Sequence, residues 1–179
     1  MHRFVASRLA ASLGALLLTA GCADLPGAND GPIAVATVAP TAGNTAAGTV
    51  RFTQRGPRTL IHARLTGLTP NAEHGFHVHE RGDCSAPDAS SAGGHFDPGG
   101  HPHAFHAQPQ RHAGDLPNLR ADAQGVATLS WESELLGVAA GPASVVGRSV
   151  IVHRDADDYR SQPAGNSGPR LGCGVVRAG

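Results

Sequence analysis

Between residues 33 and 179 the chain alternates apolar and polar positions in short bursts. IAVATVAP at 33–40, GTVRFTQR at 48–55, TLIHARLTGL at 59–68, GVATLSW at 125–131 and GRSVIVH at 147–153 all carry stretches with an apolar side chain at every second position. A period of two predicts strands with one face toward a core. HGFHVHE at 74–80 and LGCGVV at 171–176 extend the set. The 24 Gly and 13 Pro leave few long runs without a breaker, which favours strands joined by turns over helices. Several short strands at this spacing predict an all-β, antiparallel sandwich or barrel. ELLGVAAGPASVV at 134–146 is ambiguous: its apolar content allows a short helix, whereas Gly137, Gly141 and Pro142 favour a loop.

The N-terminal pattern is different. Arg3 and Arg8 precede an apolar run, LAASLGALLLTAG at 9–21, which reads as a signal peptide over residues 1–22. The run is too short and too interrupted for a comfortable membrane span. It ends LTAGC, a lipobox-like sequence with Thr19 where leucine is usual, and predicts lipidation of Cys22 as the first mature residue. Ordinary cleavage nearby would remove Cys22 or leave a free thiol. Residues 23–32 read as a flexible tether and 33–179 as one domain. The expected location is therefore the periplasm of a bacterium or its outer membrane, reached through the lipid. The whole chain has zero formal charge. Without residues 1–22 it carries 12 Arg against 14 Asp and Glu, a net of −2. No basic stripe or aromatic platform is visible, so nucleic acid is not an expected partner.

Eight of the 11 histidines fall between residues 74 and 115. His77 and His79 are two apart on a predicted strand, so both rings point to one face while Phe76 and Val78 point to the other. Two imidazoles placed this way make half a metal site. His95, His103, His112 and Asp115 follow in a Gly/Pro-rich loop. Three imidazoles and one carboxylate are the right number and type for a closed tetrahedral zinc site. A metal would also order a loop that has no core of its own.

GFHVHE at 75–80, GGHFDP at 93–98, RHAGDLPN at 111–118, IVHRDADD at 151–158 and GNSGPRLGCGVV at 165–176 resemble copper/zinc superoxide dismutase, in that family's order and over about residues 33–179. The resemblance implies a Greek-key β-sandwich or barrel of about eight strands with long metal-binding loops. It implies one copper per chain on His77, His79, His95 and His153, and one zinc on His95, His103, His112 and Asp115. His95 would bridge the two metals and carry a proton in catalysis. Arg170 matches the arginine that attracts and orients superoxide. Asp157 matches the carboxylate that joins His77 and His103, and His74 a structural histidine beneath the copper strand. Cys84 and Cys173 match the family disulfide; in an exported chain with Cys22 lipidated they are also the two cysteines left to pair.

The implied activity converts superoxide to dioxygen and hydrogen peroxide, as antioxidant defence in the cell envelope. A copper/zinc-binding or copper-delivery protein on the same fold, without turnover, is the alternative; it would need neither Arg170 nor two complete sites. A homodimer is compatible with the sequence, although no decisive patch marks one. His62 is expected on an exposed strand face, and His101 and His106 as exposed loop residues. Gly75, Gly94 and Gly168 are expected to permit close approach or unusual dihedrals. Arg154 and Arg160 are candidates to steer superoxide, since the chain has no lysine.

Overall fold

Period-two burial is clearest where two hairpins meet. In the computed structural model, which describes Met1 and residues 30–179, β1 (Asp30–Pro40), β2 (Ala47–Arg55) and β3 (Arg58–Thr66) form an antiparallel meander. Residues 2–29 lie outside the described residues, and with them Cys22 and nearly all of the stretches expected to be a signal peptide and a tether. On β3, Thr59, Ile61, Ala63 and Leu65 are buried while Arg58, His62 and Arg64 are exposed. Val50 and Phe52 of β2 meet them from the same face. Each such large apolar side chain contributes about 1.5–3 kcal/mol by leaving water.

The remaining strands are β4 (Glu73–His74), β5 (Phe76–His79), β6 (Leu119–Arg120), β7 (Ala127–Ser133), β8 (Ser149–His153) and β9 (Arg170–Ala178). Seven of them form one curled antiparallel sheet in the order β5-β8-β9-β1-β2-β3-β7. The chain returns after the β1–β2–β3 meander to lay β9 beside β1, which is a Greek key. The short pair β4–β6 links the sheet's two edges. β4 runs directly into β5, and Ala121, next to β6, bridges to Ala127 of β7. The barrel thus closes through two-residue strands.

The count among the described residues is nine, because β6 is too short to show a period and HGFHVHE breaks at Gly75 into β4 and β5. Gly75 donates its N–H to Asp155 O (2.8 Å) and accepts at its carbonyl from His153 N–H (2.8 Å). Beyond one 3-10 turn, Ser90–Ala92, the described residues hold no helix. Residues 134–146 are a loop, tied by Gly137 N–H to Ala143 O (2.9 Å) and Val145 N–H to Gly137 O (2.8 Å). Their apolar character comes from Leu136, Val138 and Val145 dropping into the core. β1 starts at Asp30, inside the stretch read as tether.

β5 and β8 are buried on both faces. Phe76 pairs with Val152 and Val78 with Val150 on the core side. His77, His79, Ile151 and Ser149 share the opposite face. That face is covered by the 80–115 loop, where Ala89 and Ala92 pack on Ile151 and Cys173. A Cys84–Cys173 disulfide, with Cα atoms 5.8 Å apart, pins the loop to β9.

Candidate metal centre

The covered face of β5 holds the two rings that the i, i+2 spacing placed together. His79 forms a bridge with His95, which brings the loop's first histidine to the strand pair. His153, at the end of β8, completes the group. One donor atom from each of His77, His79, His95 and His153 lies within 4.8 Å of the others. A second group with the same spread is His95, His103, His112 and Asp115. His95 belongs to both.

The first group is set up from its far side. His77 Nε2–H donates to Asp157 Oδ2 (2.8 Å), His79 Nδ1–H to Gly93 O (2.9 Å) and His153 Nδ1–H to Gly168 O (3.1 Å), while His95 Nδ1 lies 2.8 Å from Asp115 Oδ1. The other nitrogen of each ring (His77 Nδ1, His79 Nε2, His95 Nε2 and His153 Nε2) is buried with no partner. Four orphaned imidazole lone pairs facing one point suit a metal that imidazole can hold in more than one oxidation state, as copper requires. A buried polar atom otherwise has to find a hydrogen bond.

The second group converges on Asp115, which is fully buried. Asp115 Oδ1 lies 2.8 Å from His95 Nδ1, 2.9 Å from His103 Nδ1 and 3.2 Å from His112 Nδ1, and His112 Nδ1 lies 3.4 Å from His95 Nδ1. A tetrahedral zinc with bonds of 2.0–2.1 Å has ligand–ligand edges of about 3.3 Å. The donor set and its spacing therefore fit zinc. Asp115 Oδ2 accepts from the N–H groups of Ala104 and His112, both at 3.1 Å, so the carboxylate also ties its own loop.

Burial dominates the titration of the first group. It pushes His77 and His79 well below the usual histidine value, with help from the charge of His95, and lowers His95 and His153, the last to about 4. The rings are held neutral, the form that binds metal. His103 goes the other way. Burial opposes its charge, but hydrogen bonds to Asp115 and Asp157 outweigh burial and raise it to about 9. Both carboxylates are held well below their usual range: burial alone would raise them, and their histidine contacts overcome it.

Asp157 is the link between the groups. Its Oδ2 accepts from His77 and its Oδ1 lies 2.9 Å from His103 Nε2. Arg170, half-buried at the start of β9, donates from Nη1 to Ala89 O (2.6 Å) and from Nη2 to Gly93 O (2.7 Å). Gly93 O is also the acceptor of His79, so one carbonyl holds both the guanidinium and a ring of the first group. His74 Nδ1–H donates to His153 O (2.8 Å) from a fully buried position, fixing the backbone beneath that ring.

Several expectations need correction. His101 and His106 are partly buried, and His106 packs its ring against Phe105, Trp131 and Tyr159. The constrained glycine beside His95 is Gly93, with φ of 75° and a Cβ that would strike the Glu80 side chain; a Cβ on Gly94 would meet nothing. Arg154 pairs with Asp155 (2.9 Å), which offsets its charge, whereas the Arg160 side chain lines an open groove with Phe105 and Tyr159. Missing from the sequence reading are Asn118, Tyr159, Gln162 and Gly165. Asn118 holds the Asp157 backbone at both ends, accepting from its N–H (2.9 Å) and donating to its O (3.0 Å). Gly165 passes so close to Asp157 that a Cβ would collide with its carboxylate. Neither periodicity nor ligand spacing marks these positions.

Comparison with known proteins agrees with this geometry. The profile of Copper/zinc superoxide dismutase (SODC) matches residues 46–176. A Cu-Zn superoxide dismutase of Deinococcus radiodurans is 40% identical over 144 residues, 73% of this chain and 77% of that one. One from Saccharomyces cerevisiae is 41% identical over 137 residues, covering 72% and 88%. The crystal structure of the clock protein EA4 superimposes with a TM-score of 0.73 at 34% identity, over 81% of this chain and 93% of that one. A buried double histidine cluster on a Greek-key barrel, matched over most of its length by this profile, means that the chain belongs to the copper/zinc superoxide dismutase family, enzymes that act on superoxide with copper and zinc as cofactors.

Proposed function

We propose that the reaction, 2 O2•− + 2 H+ → O2 + H2O2, takes place with copper on His77, His79, His95 and His153 and zinc on His95, His103, His112 and Asp115. What carries this assignment is the set of four partnerless ring nitrogens facing one point while the opposite nitrogen of every ring is engaged. Copper bound there supplies a one-electron cycle between Cu(II) and Cu(I), and zinc supplies fixed charge with no redox chemistry of its own. Arg170 draws and orients the anion, its planar charge fixed by two carbonyls. His95, common to both groups, would serve both metals, and its ring would hold one of the two protons that the product needs, the other coming from solvent. Asp157 sets the ring orientation of His77 and His103, and His74 the height of His153.

The same proposal places the enzyme outside the cytoplasm. The leader at 1–22 directs export, and a lipid on Cys22 tethers the domain to a bacterial outer membrane, where it removes superoxide at the envelope. The disulfide suits an oxidising compartment. Copper loading followed by electron paramagnetic resonance tests the ligand assignment. The expected copper(II) signal carries nitrogen coupling that His153→Ala alters; a signal indifferent to that substitution contradicts it. Mass spectrometry of the mature N-terminus tests Cys22, with a diacylglyceryl cysteine as the expected first residue.

A further inference from the structure

Residues 99–106 run through the second histidine group and are tied mainly to their own loop, Gly99 and His101 donating their N–H groups to Asp97 and Ala104 to Asp115. Among the described residues, the main chain around His103 is gripped from outside its own loop by one side chain. Gln162 Oε1 accepts from His103 N–H (3.0 Å), and Gln162 Nε2 donates to His103 O (2.7 Å). The amide thus pairs with both backbone groups of a single residue, as a neighbouring strand would. Two further residues of the same turn reach this loop. Asp157 takes the far nitrogen of the His103 ring. The Tyr159 ring meets Phe105 edge-on at 5.0 Å and His106 at 5.3 Å. Tyr159 is itself anchored: its N–H donates to Asp157 Oδ1 (2.7 Å), and its hydroxyl accepts from Asn118 N–H (2.9 Å). Asp158 then caps the turn, accepting from the N–H groups of Arg160 and Ser161 (2.9 and 2.8 Å).

We infer that residues 157–162 act as a clip that pre-forms the second metal subsite, with Gln162 as a positioning residue for His103. This rests on the zinc assignment above. Asp157 orients the ring, and Gln162 sets where the ring's backbone stands, so the two fix position and orientation from one turn. Gln162 is exposed, its other hydrogen bond goes to Arg160 O (3.4 Å) within its own turn, and it belongs to neither the apolar core nor the disulfide. Its loss should therefore loosen one ligand without loosening the fold.

The test uses full-length protein loaded with zinc and copper, and compares the parent with Gln162→Ala and His112→Ala. Zinc release to a chromophoric chelator is the first readout. The visible spectrum of cobalt(II) placed in the zinc position is the second, and thermal unfolding of the metal-free protein the third. Gln162→Ala is expected to release zinc about tenfold faster. It should also change the cobalt bands, while copper release stays within about twofold of the parent and metal-free unfolding is unchanged. Zinc release and cobalt bands matching the parent would overturn the clip while leaving the zinc assignment intact. Faster release of both metals with a lower unfolding temperature would overturn it too, as general loosening. If His112→Ala left zinc binding unaltered, the assignment beneath the proposal would fail with it.

Discussion

The β1–β2–β3 meander and the β5–β8 side of the barrel are built on different principles. The meander buries one face and wets the other, its hydrogen-bonded ladder set on a core of apolar side chains. The β5–β8 side is buried on both faces, and its outer face carries His77 and His79 beside Ile151 and Ser149 under a cover of loops. Those loops are held by a disulfide, two carboxylates and a set of side-chain-to-backbone bonds. The first region supplies no ligand to either histidine group. The second is where binding energy and folding energy become the same quantity.

Substitutions should separate the two regions. The largest effect is expected from His95→Ala, which removes a donor from both groups. Dismutation should fall to the background of free solution and both metals should be held less tightly, while the barrel still unfolds cooperatively by circular dichroism. Next come two changes of similar size on stability. Opening the disulfide with Cys84→Ser and Cys173→Ser should cost about 4–5 kcal/mol in the chain-entropy view, given the 89-residue separation. Phe52→Ala should cost about 3–5 kcal/mol by leaving a cavity. Denaturant titration measures both. The contrast lies in the metals: the cysteine pair should weaken their retention, and Phe52→Ala should not.

A pH effect comes third. In the metal-free protein His153 is held neutral down to about 4, whereas an unfolded histidine takes its proton near 6.5. The unfolded chain binds more protons between those values, so stability falls as pH drops through them, by about 3 kcal/mol from this residue. His103, raised to about 9, acts in the opposite sense: its contribution is complete below about 6.5 and is lost as pH rises through 9. Metal-free stability should therefore peak near neutrality, and chemical denaturation across pH would show it. A curve flat from 4 to 9 would remove histidine burial as a force in this region. The smallest expected effect is on steering. Arg160→Glu should slow the bimolecular rate at low salt and leave it unchanged at high salt.

The same contrast explains what the amino-acid pattern could reveal. The meander was legible because Ile61, Ala63 and Leu65 recur at the period of the pleat, and His62 fell on the wet face as that period requires. His77 and His79 were legible for the same reason. β6 was not, since two residues carry no period, and its role appears only where Leu119 pairs with His74 of the neighbouring β4. In 134–146 the apolar residues serve the core without a repeat, so the pattern leaves helix and loop both open, and the loop favoured by Gly137, Gly141 and Pro142 is what forms. His153, Asp157 and Arg170 enter only through family resemblance, because residues brought together from two strands and a loop leave no spacing rule. Gln162, Tyr159 and Asn118 escaped even that, since their contacts run to main-chain atoms whose position only the fold determines.

In the proposed centre, two histidine groups sharing His95 hold copper and zinc, and copper turns superoxide over. Direct superoxide decay after pulse radiolysis, on the full-length protein carrying zinc alone, copper alone or both, tests this when metal content is assayed on the same samples. About one copper and one zinc per chain are expected, with fast decay wherever copper is bound and none above background with zinc alone. Both metals bound tightly with decay no faster than free solution, or fast decay without copper, would contradict it.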